Sequence, residues 1–175
     1  MKIKHLALLA LTLPALAFAG HAKKLTVDET VEIKAPPAKV WGKVSQFGDL
    51  GAWLPPIKKT EITEGKDNTP GAVRVLTTQD GGTVTEKLLK YSAKKHMMQY
   101  AIIGGVLPVS DYTATLTVKP GTSKDTSLVV WHAHFKRKDH SDTPKAGEDD
   151  AAAHDTIHAI FRGGLDNLKK IAEAE

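Results

Sequence analysis

Apolar residues recur at helical spacing through residues 155–174, close to the end of the chain. At about 100° per residue, seven of them share one side of a helix, and charged or polar residues occupy the other side. The apolar positions are Ile157, Ile160, Phe161, Leu165, Leu168, Ile171 and Ala172. This pattern predicts a long amphipathic helix that must lie on a large apolar surface, because the stripe is too short to span a membrane.

Two adjacent glycines, Gly163 and Gly164, fall inside this predicted helix, where each costs about 1 kcal/mol relative to alanine. Gly164 lies in the middle of the apolar stripe, so its missing side chain leaves a notch. We expect the notch to be occupied either by closely packed neighbours or by a ligand.

The preceding chain alternates apolar and polar residues with the period of half-buried strands. Pro36 and Pro37 interrupt this pattern and start a helix, which is followed by a short helical segment at 49–53. The first helix is expected to place Val40, Trp41, Val44 and Phe47 on one face. The predicted strands span 25–33, 57–64, 72–78, 83–91, 97–103, 112–118 and 127–136, with a hairpin turn at 79–82, an apolar loop at 104–110 and an acidic connection at 139–150.

This order of elements predicts an α+β fold. A curved antiparallel sheet of about seven strands would surround the long C-terminal helix, with two short helices after the first strand. A sheet of that size twists and curls, so one helix on its concave face cannot fill the enclosed volume. The remaining space is expected to be a cavity.

Residues 1–22 have the pattern of a secretory signal peptide. Lys2 and Lys4 precede an apolar run at 6–17, and small residues offer cleavage after Ala19 or Ala22. We therefore expect a single mature domain at 23–175 that is exported to the periplasm and has no membrane span.

Composition adds two constraints. The chain has no cysteine, so an exported domain must be held together by packing and not by disulfides. The formal net charge of +4 falls to +2 when Lys2 and Lys4 are removed, and the other lysines are interleaved with acidic residues. So small an excess gives no reason to expect nucleic-acid binding.

Several short strings, in this order along the chain, resemble the START-like or Bet v 1-like helix-grip superfamily, and within it the polyketide cyclase/dehydrase-type branch. They are Phe47-Gly48-Asp49 with Trp53-Leu54-Pro55, Gly71-Ala72-Val73-Arg74, Gly82 with Val84 and Glu86, Tyr100-Ala101-Ile102, Leu107-Pro108-Val109-Ser110-Asp111-Tyr112, the segment 129–135, and Gly164-Leu165-Asp166-Asn167-Leu168-Lys169. With its export signal, the chain is also similar to the small MxaD-type periplasmic proteins associated with bacterial methanol oxidation.

The resemblance implies a seven-stranded antiparallel sheet that grips the C-terminal helix, with a pocket between them. Members bind lipids, hormones and polyketides, and only some are enzymes, so the fold leaves the activity open. Arg74 and Glu86 lie opposite each other on the two arms of the predicted hairpin, and the resemblance implies that both point toward the pocket. They would form a buried ion pair that orients a ligand carbonyl or carboxylate, or else an ordinary surface pair.

Aromatic and apolar residues complete the predicted pocket. Trp53, Tyr100, Tyr112 and Trp131 offer amphipathic rings, whereas the favoured interpretation of Trp41, Phe47, Phe135 and Phe161 is that they are core residues. Leu107 and Pro108 belong to an apolar loop that forms a rim or gate, or merely caps the mouth. The full set of expected ligand-binding residues is Trp53, Arg74, Glu86, Tyr100, Leu107, Pro108, Tyr112, Trp131, Ile157, Phe161 and Gly164.

The histidines suggest a metal site only weakly. His132 and His134 share a strand face, and His154 and His158 share a helix face, but neither pair has a specific ligand motif around it. Because His132 and His134 alternate with Trp131, we expect them to face outward. We assign no metal and no cofactor.

Three functions remain open. The first is periplasmic binding of a small apolar or amphipathic molecule in the service of an exported oxidation system. The second is a cyclase or dehydratase, in which Arg74 or Tyr100 polarises a carbonyl and Glu86 or His158 removes a proton, although the sequence shows no catalytic dyad. The third is an interaction module that brings a periplasmic dehydrogenase together with its cytochrome acceptor.

Overall fold

The structure is a computed structural model and describes residues 22–174. The segment interpreted as a signal peptide therefore lies outside the described residues, apart from Ala22. Two helices, α1 and α2, and seven strands, β1 to β7, make up the domain, together with a short 3₁₀ helix. In chain order they are β1 (Leu25–Ile33), α1 (Pro37–Val44), the 3₁₀ helix (Phe47–Ala52), β2 (Ile57–Glu64), β3 (Val73–Thr78), β4 (Thr83–Ser92), β5 (Met97–Gly105), β6 (Val109–Pro120), β7 (Ser127–Arg137) and α2 (Asp150–Glu173).

The seven strands form one antiparallel sheet in the order β1-β7-β6-β5-β4-β3-β2. Strands β2 to β7 follow one another as a meander. The first strand, β1, lies at the opposite edge of the sheet from β2 and pairs with β7. The sheet curves around α2, which confirms the predicted α+β helix-grip fold. None of the helices within residues 22–174 combines the length and apolar character needed to cross a membrane.

Helix α2 lies nearest to β1 and β7 and buries most of its predicted apolar stripe. Ile157, Phe161, Leu165 and Leu168 are each at most 1% exposed, because they pack against side chains from the inner face of the sheet. Polar contacts to β1 fix its position along the sheet. Arg162 Nη1 lies 3.0 Å from Glu29 Oε2, and Lys169 Nζ donates to the carbonyl oxygen of Glu32 at 2.9 Å.

Several element boundaries differ from the sequence-based expectation. Helix α2 begins at Asp150 and not at Asp155, because the Asp149 side chain caps it by accepting a hydrogen bond from Ala152 N at 2.7 Å. Phe47 was expected on the buried face of the first helix, but α1 ends at Val44 and Phe47 starts the 3₁₀ helix. Phe47 is nevertheless fully buried.

The expected loop at 104–110 is reduced to residues 106–108, because β5 continues to Gly105 and β6 starts at Val109. Gly105 has a φ of +125° and lies so close to β4 that a Cβ would overlap the carbonyl oxygen of Thr83. Only glycine fits this close backbone approach.

The acidic connection between β7 and α2 is organised by Arg137, a buried residue with no sequence motif around it. Its guanidinium donates to the carbonyl oxygens of Asp139 (2.7 Å) and Ser141 (2.8 Å) and to Asp150 Oδ1 (3.0 Å). Asp139 in turn accepts hydrogen bonds from the backbone N–H groups of Ser141 at 2.9 Å and Lys145 at 3.0 Å.

These hydrogen bonds predict an acid-sensitive connection. The hydrogen bonds from Ser141 have the largest effect, and the hydrogen bond from Lys145 comes next. They favour the ionised carboxylate and lower the pKa of Asp139 from its ordinary 3.8 to about 2. Because the folded pKa is depressed, the stabilising contribution is complete above about pH 3.8 and is lost as the pH falls through about 2. We expect NMR titration to give the Asp139 carboxyl a midpoint near pH 2, with the Ser141 and Lys145 amide resonances shifting in parallel. The Asp139→Asn variant should lack that transition, and a midpoint at the ordinary value would contradict the assignment.

Candidate functional site

A small cavity lies between the inner face of the sheet, the 3₁₀ helix and α2. It has a volume of about 60 Å³ and adjoins an outer groove of about 310 Å³. Pro56, Thr78, Leu107 and Ile160 line both spaces, so they form the mouth between cavity and groove. The cavity is lined by Leu50, Leu54, Pro56, Ile57, Leu76, Thr78, Val84, Glu86, Tyr100, Ile102, Leu107, Tyr112, Trp131, Ile157, Ile160 and Phe161.

The structure brings together seven of the eleven predicted site residues in this lining. They are Glu86, Tyr100, Leu107, Tyr112, Trp131, Ile157 and Phe161. The other four, Trp53, Arg74, Pro108 and Gly164, do not line the cavity. Leu107 occupies the mouth, as a rim residue would, while Pro108 follows it and accepts a backbone hydrogen bond from Lys138 N at 3.0 Å.

Close packing, and not a ligand-sized space, occupies the notch at Gly164. A Cβ at this position would lie 2.6 Å from Leu54 Cδ1, 3.1 Å from Trp131 and 3.4 Å from Trp53. The Trp131 ring stacks on Phe161 at a centroid distance of 4.0 Å, and Trp53 packs against Trp131 at 5.2 Å. Glycine is needed at position 164 because the backbone of α2 lies in direct contact with these indole rings.

The predicted pair of Arg74 and Glu86 is a buried ion pair, not a surface pair. The two residues are direct neighbours across β3 and β4 and are only 2% and 5% exposed. Arg74 Nε and Nη2 both contact Glu86 Oε2, at 2.7 and 2.5 Å, and Nη1 donates to the carbonyl oxygen of Phe47 at 2.6 Å. Burial raises the pKa of the Glu86 carboxyl, and the Arg74 guanidinium opposes this shift.

The resemblance implied that both members of the pair point into the pocket, but only Glu86 lines it. The Arg74 guanidinium lies over the Phe47 ring at 4.0 Å and near the Tyr100 ring at 5.2 Å. Three polar contacts, two to Glu86 and one to Phe47, and these two rings surround the guanidinium, and Arg74 is not among the residues that line the cavity. A ligand in the cavity therefore meets the carboxylate and not the guanidinium.

Two tyrosines supply the other buried polar groups of the cavity. Trp131 Nε1 donates to the Tyr100 hydroxyl oxygen at 3.0 Å, and the Tyr100 and Tyr112 rings lie 6.3 Å apart. Burial raises the pKa of both phenols well above the ordinary value of 10. Both hydroxyls therefore keep their protons at neutral pH and can act as hydrogen-bond donors.

Comparison with known proteins identifies the family. A sequence profile of the family described as "Polyketide cyclase / dehydrase and lipid transport" matches residues 24–173. The chain belongs to this family.

Relatives from other organisms agree with the family assignment. The MLP-like protein 423 of Arabidopsis thaliana is 29% identical over 151 residues, which cover 82% of this chain and 88% of the relative. XoxI from Bacillus cereus is 32% identical, with a TM-score of 0.73 over 83% of this chain and 94% of XoxI. The structure of Ara h 8.0201 has the same fold, with a TM-score of 0.69 at 19% identity over 87% of this chain and all of that one.

Several cavity residues of this polyketide cyclase/dehydrase-type chain were not selected from its sequence. Leu76, Val84 and Ile102 lie on the inward-facing positions of strands whose alternation was already evident, so a full listing of those faces would have found them. Ile160 belongs to the apolar stripe predicted for α2, but its place at the mouth depends, like that of Pro56, on where the strand ends meet the helix.

Three of the four candidate histidines, His132, His154 and His158, contact carboxylates. His132 Nδ1 lies 2.6 Å from Asp28 Oδ1, and His158 Nε2 lies 2.9 Å from Glu29 Oε1. His132 is half exposed on the side of β7 opposite Trp131, as the alternation predicted. Within residues 22–174, no group of three or more potential ligand side chains is placed to hold a metal ion.

The packing at Gly164 predicts opposite effects for alanine at the two adjacent glycines. Gly163→Ala meets nothing within 4 Å and should raise the free energy of unfolding by about 0.5–1 kcal/mol through helix propensity. Gly164→Ala gains the same propensity but overpacks Leu54 and Trp131, which costs about 1–3 kcal/mol, so it should be the less stable variant. Urea unfolding of the two variants measures this difference. Equal stabilities would show that the helix does not press on the indole rings.

Proposed function

We propose that this protein binds a small, largely apolar molecule with one polar end. The observation that carries the proposal is the composition of the cavity, where apolar side chains surround one buried carboxylate and two tyrosine hydroxyls. Apolar walls with a few placed polar groups are typical of small-molecule sites. The family description, which includes lipid transport, supports the same class of function.

The size of the cavity limits how such a molecule is held. Ligand pockets usually measure about 300–1,000 Å³, and the inner cavity offers only about 60 Å³. We infer that the polar end enters the inner cavity while the apolar remainder lies in the outer groove. Leu107, in the three-residue loop between β5 and β6, would act as the gate because it borders both spaces.

We further propose that the mature protein works outside the inner membrane as an accessory to an exported oxidation system. The signal-peptide pattern of residues 1–22 and the resemblance to MxaD-type proteins support this setting. In this proposal the protein delivers or sequesters a molecule for the oxidation system and needs no cofactor of its own.

A second candidate is the interaction module that joins a periplasmic dehydrogenase to its cytochrome. It is favoured by Ile103 and Val106, which are 56% and 59% exposed near the tip of the β5–β6 hairpin. In that case the apolar contact lies on the outer surface, and blocking the cavity mouth should leave function unchanged.

A pair of tryptophan substitutions on α2 tests the binding proposal. Ile160→Trp adds bulk at the mouth, whereas Ala159→Trp adds the same bulk at an exposed position one residue away. We expect the fluorescent apolar probe N-phenyl-1-naphthylamine to bind the unmodified protein saturably. The Ile160→Trp variant should bind it at least about tenfold more weakly because its entry is blocked, and Ala159→Trp should bind it normally. Equal affinities for all three proteins, or no saturable binding, would overturn the proposal.

A further inference from the structure

We infer that the ligand carries a hydroxyl group at its buried end, and that Glu86 accepts a hydrogen bond from that hydroxyl. This inference rests on the proposed binding function and names the chemical class of the ligand. It reverses the sequence-based expectation that the pair of Arg74 and Glu86 orients a carbonyl or carboxylate.

Arg74 does not line the cavity, so a ligand there does not contact it. All three of its guanidinium nitrogens are engaged, two with Glu86 Oε2 and one with the carbonyl oxygen of Phe47. The rings of Phe47 and Tyr100 lie beside the guanidinium, and the residue is 2% exposed. An anionic ligand would need this cation as its partner, and the cation does not line the cavity.

The two carboxylate oxygens of Glu86 differ in their contacts with Arg74. Both contacts from Arg74 are made to Oε2, so Oε1 takes neither of them. Glu86 is 95% buried and is the only carboxylate among the residues that line the cavity, so it is the strongest hydrogen-bond acceptor in that lining. A ligand that donates to this carboxylate gains a charge-assisted hydrogen bond, which is stronger than one between neutral groups.

A neutral hydroxyl fits this cavity better than an ammonium or a carboxylate group does. The pair of Arg74 and Glu86 is neutral as a whole, so an ammonium ion would bring an unbalanced charge into an apolar enclosure. A carboxylate would place a second negative charge next to Glu86. A neutral hydroxyl avoids both penalties. Tyr100 lines the same cavity, and its hydroxyl, whose oxygen accepts from Trp131 Nε1, adds a neutral polar group to the lining.

Four ligands of similar size test this inference on the unmodified protein. The probes are 4-methylphenol, 1,4-dimethylbenzene, 4-methylbenzoate and protonated 4-methylbenzylamine, which share one ring and differ at one end. Binding is followed through the indole N–H resonance of Trp131, which lines the cavity and is assigned with a Trp131→Phe variant. We expect 4-methylphenol to bind most tightly, at least about tenfold more tightly than 1,4-dimethylbenzene, because a methyl group cannot donate a hydrogen bond to Glu86.

The outcomes separate this inference from the proposed function. If 1,4-dimethylbenzene binds as tightly as 4-methylphenol, the cavity is an apolar site without a hydroxyl preference, and only the inference is overturned. Tightest binding of the benzoate or the amine overturns it as well. If none of the four probes shifts the Trp131 resonance, the inference and the binding function both fail.

A variant adds a second, independent readout. Glu86→Gln keeps the shape of the side chain but removes its negative charge, so the preference for 4-methylphenol over 1,4-dimethylbenzene should fall several-fold. The matched control is Glu61→Gln, which makes the same change at an exposed position of β2 and should keep the full preference. An unchanged preference in Glu86→Gln would overturn the assignment. Should that variant fail to fold, the comparison of the four probes still decides the question.

Discussion

The packing of α2 onto the indole ring of Trp131 is the contact on which the rest of the structure depends. This ring stacks on Phe161 of α2, packs against Trp53 beyond the 3₁₀ helix, and donates through Nε1 to Tyr100 of β5. One side chain from β7 thus joins the helix, the sheet and the segment after the 3₁₀ helix. The absent side chain at Gly164 is what allows the backbone of α2 to come this close.

The same contact explains why the cavity is small. In a helix-grip fold the space between a curved sheet and one helix is filled only as far as inward side chains reach. Here the aromatic rings fill the part near Gly164, and the free volume lies toward the ends of β2, β3 and β5, where Leu107 and Ile160 form the mouth. The cavity therefore opens on that side, toward the outer groove.

A buried ion pair rarely stabilises a fold by much, because removing two charges from water costs about as much as their attraction returns. The pair of Arg74 and Glu86 instead determines which charged group faces the cavity. The guanidinium is held by Phe47 and the carboxylate is presented to the cavity, so the pair sets the polarity that a bound molecule meets. Family membership alone does not determine this, since the same fold serves unrelated functions.

The sequence by itself determined the α+β class, the seven strands, the amphipathic character of α2 and the pairing of Arg74 with Glu86. All of these follow from periodicity and from the register of a short hairpin, which are local properties. Only the tertiary structure decided that the Gly164 notch is packed by Leu54 and Trp131, that Glu86 and not Arg74 reaches the cavity, and that Arg137 holds the chain before α2. Alternation tells which side of a strand a residue faces. How deep its end group lies, and which distant side chain meets it, depends on how the sheet curves around the helix.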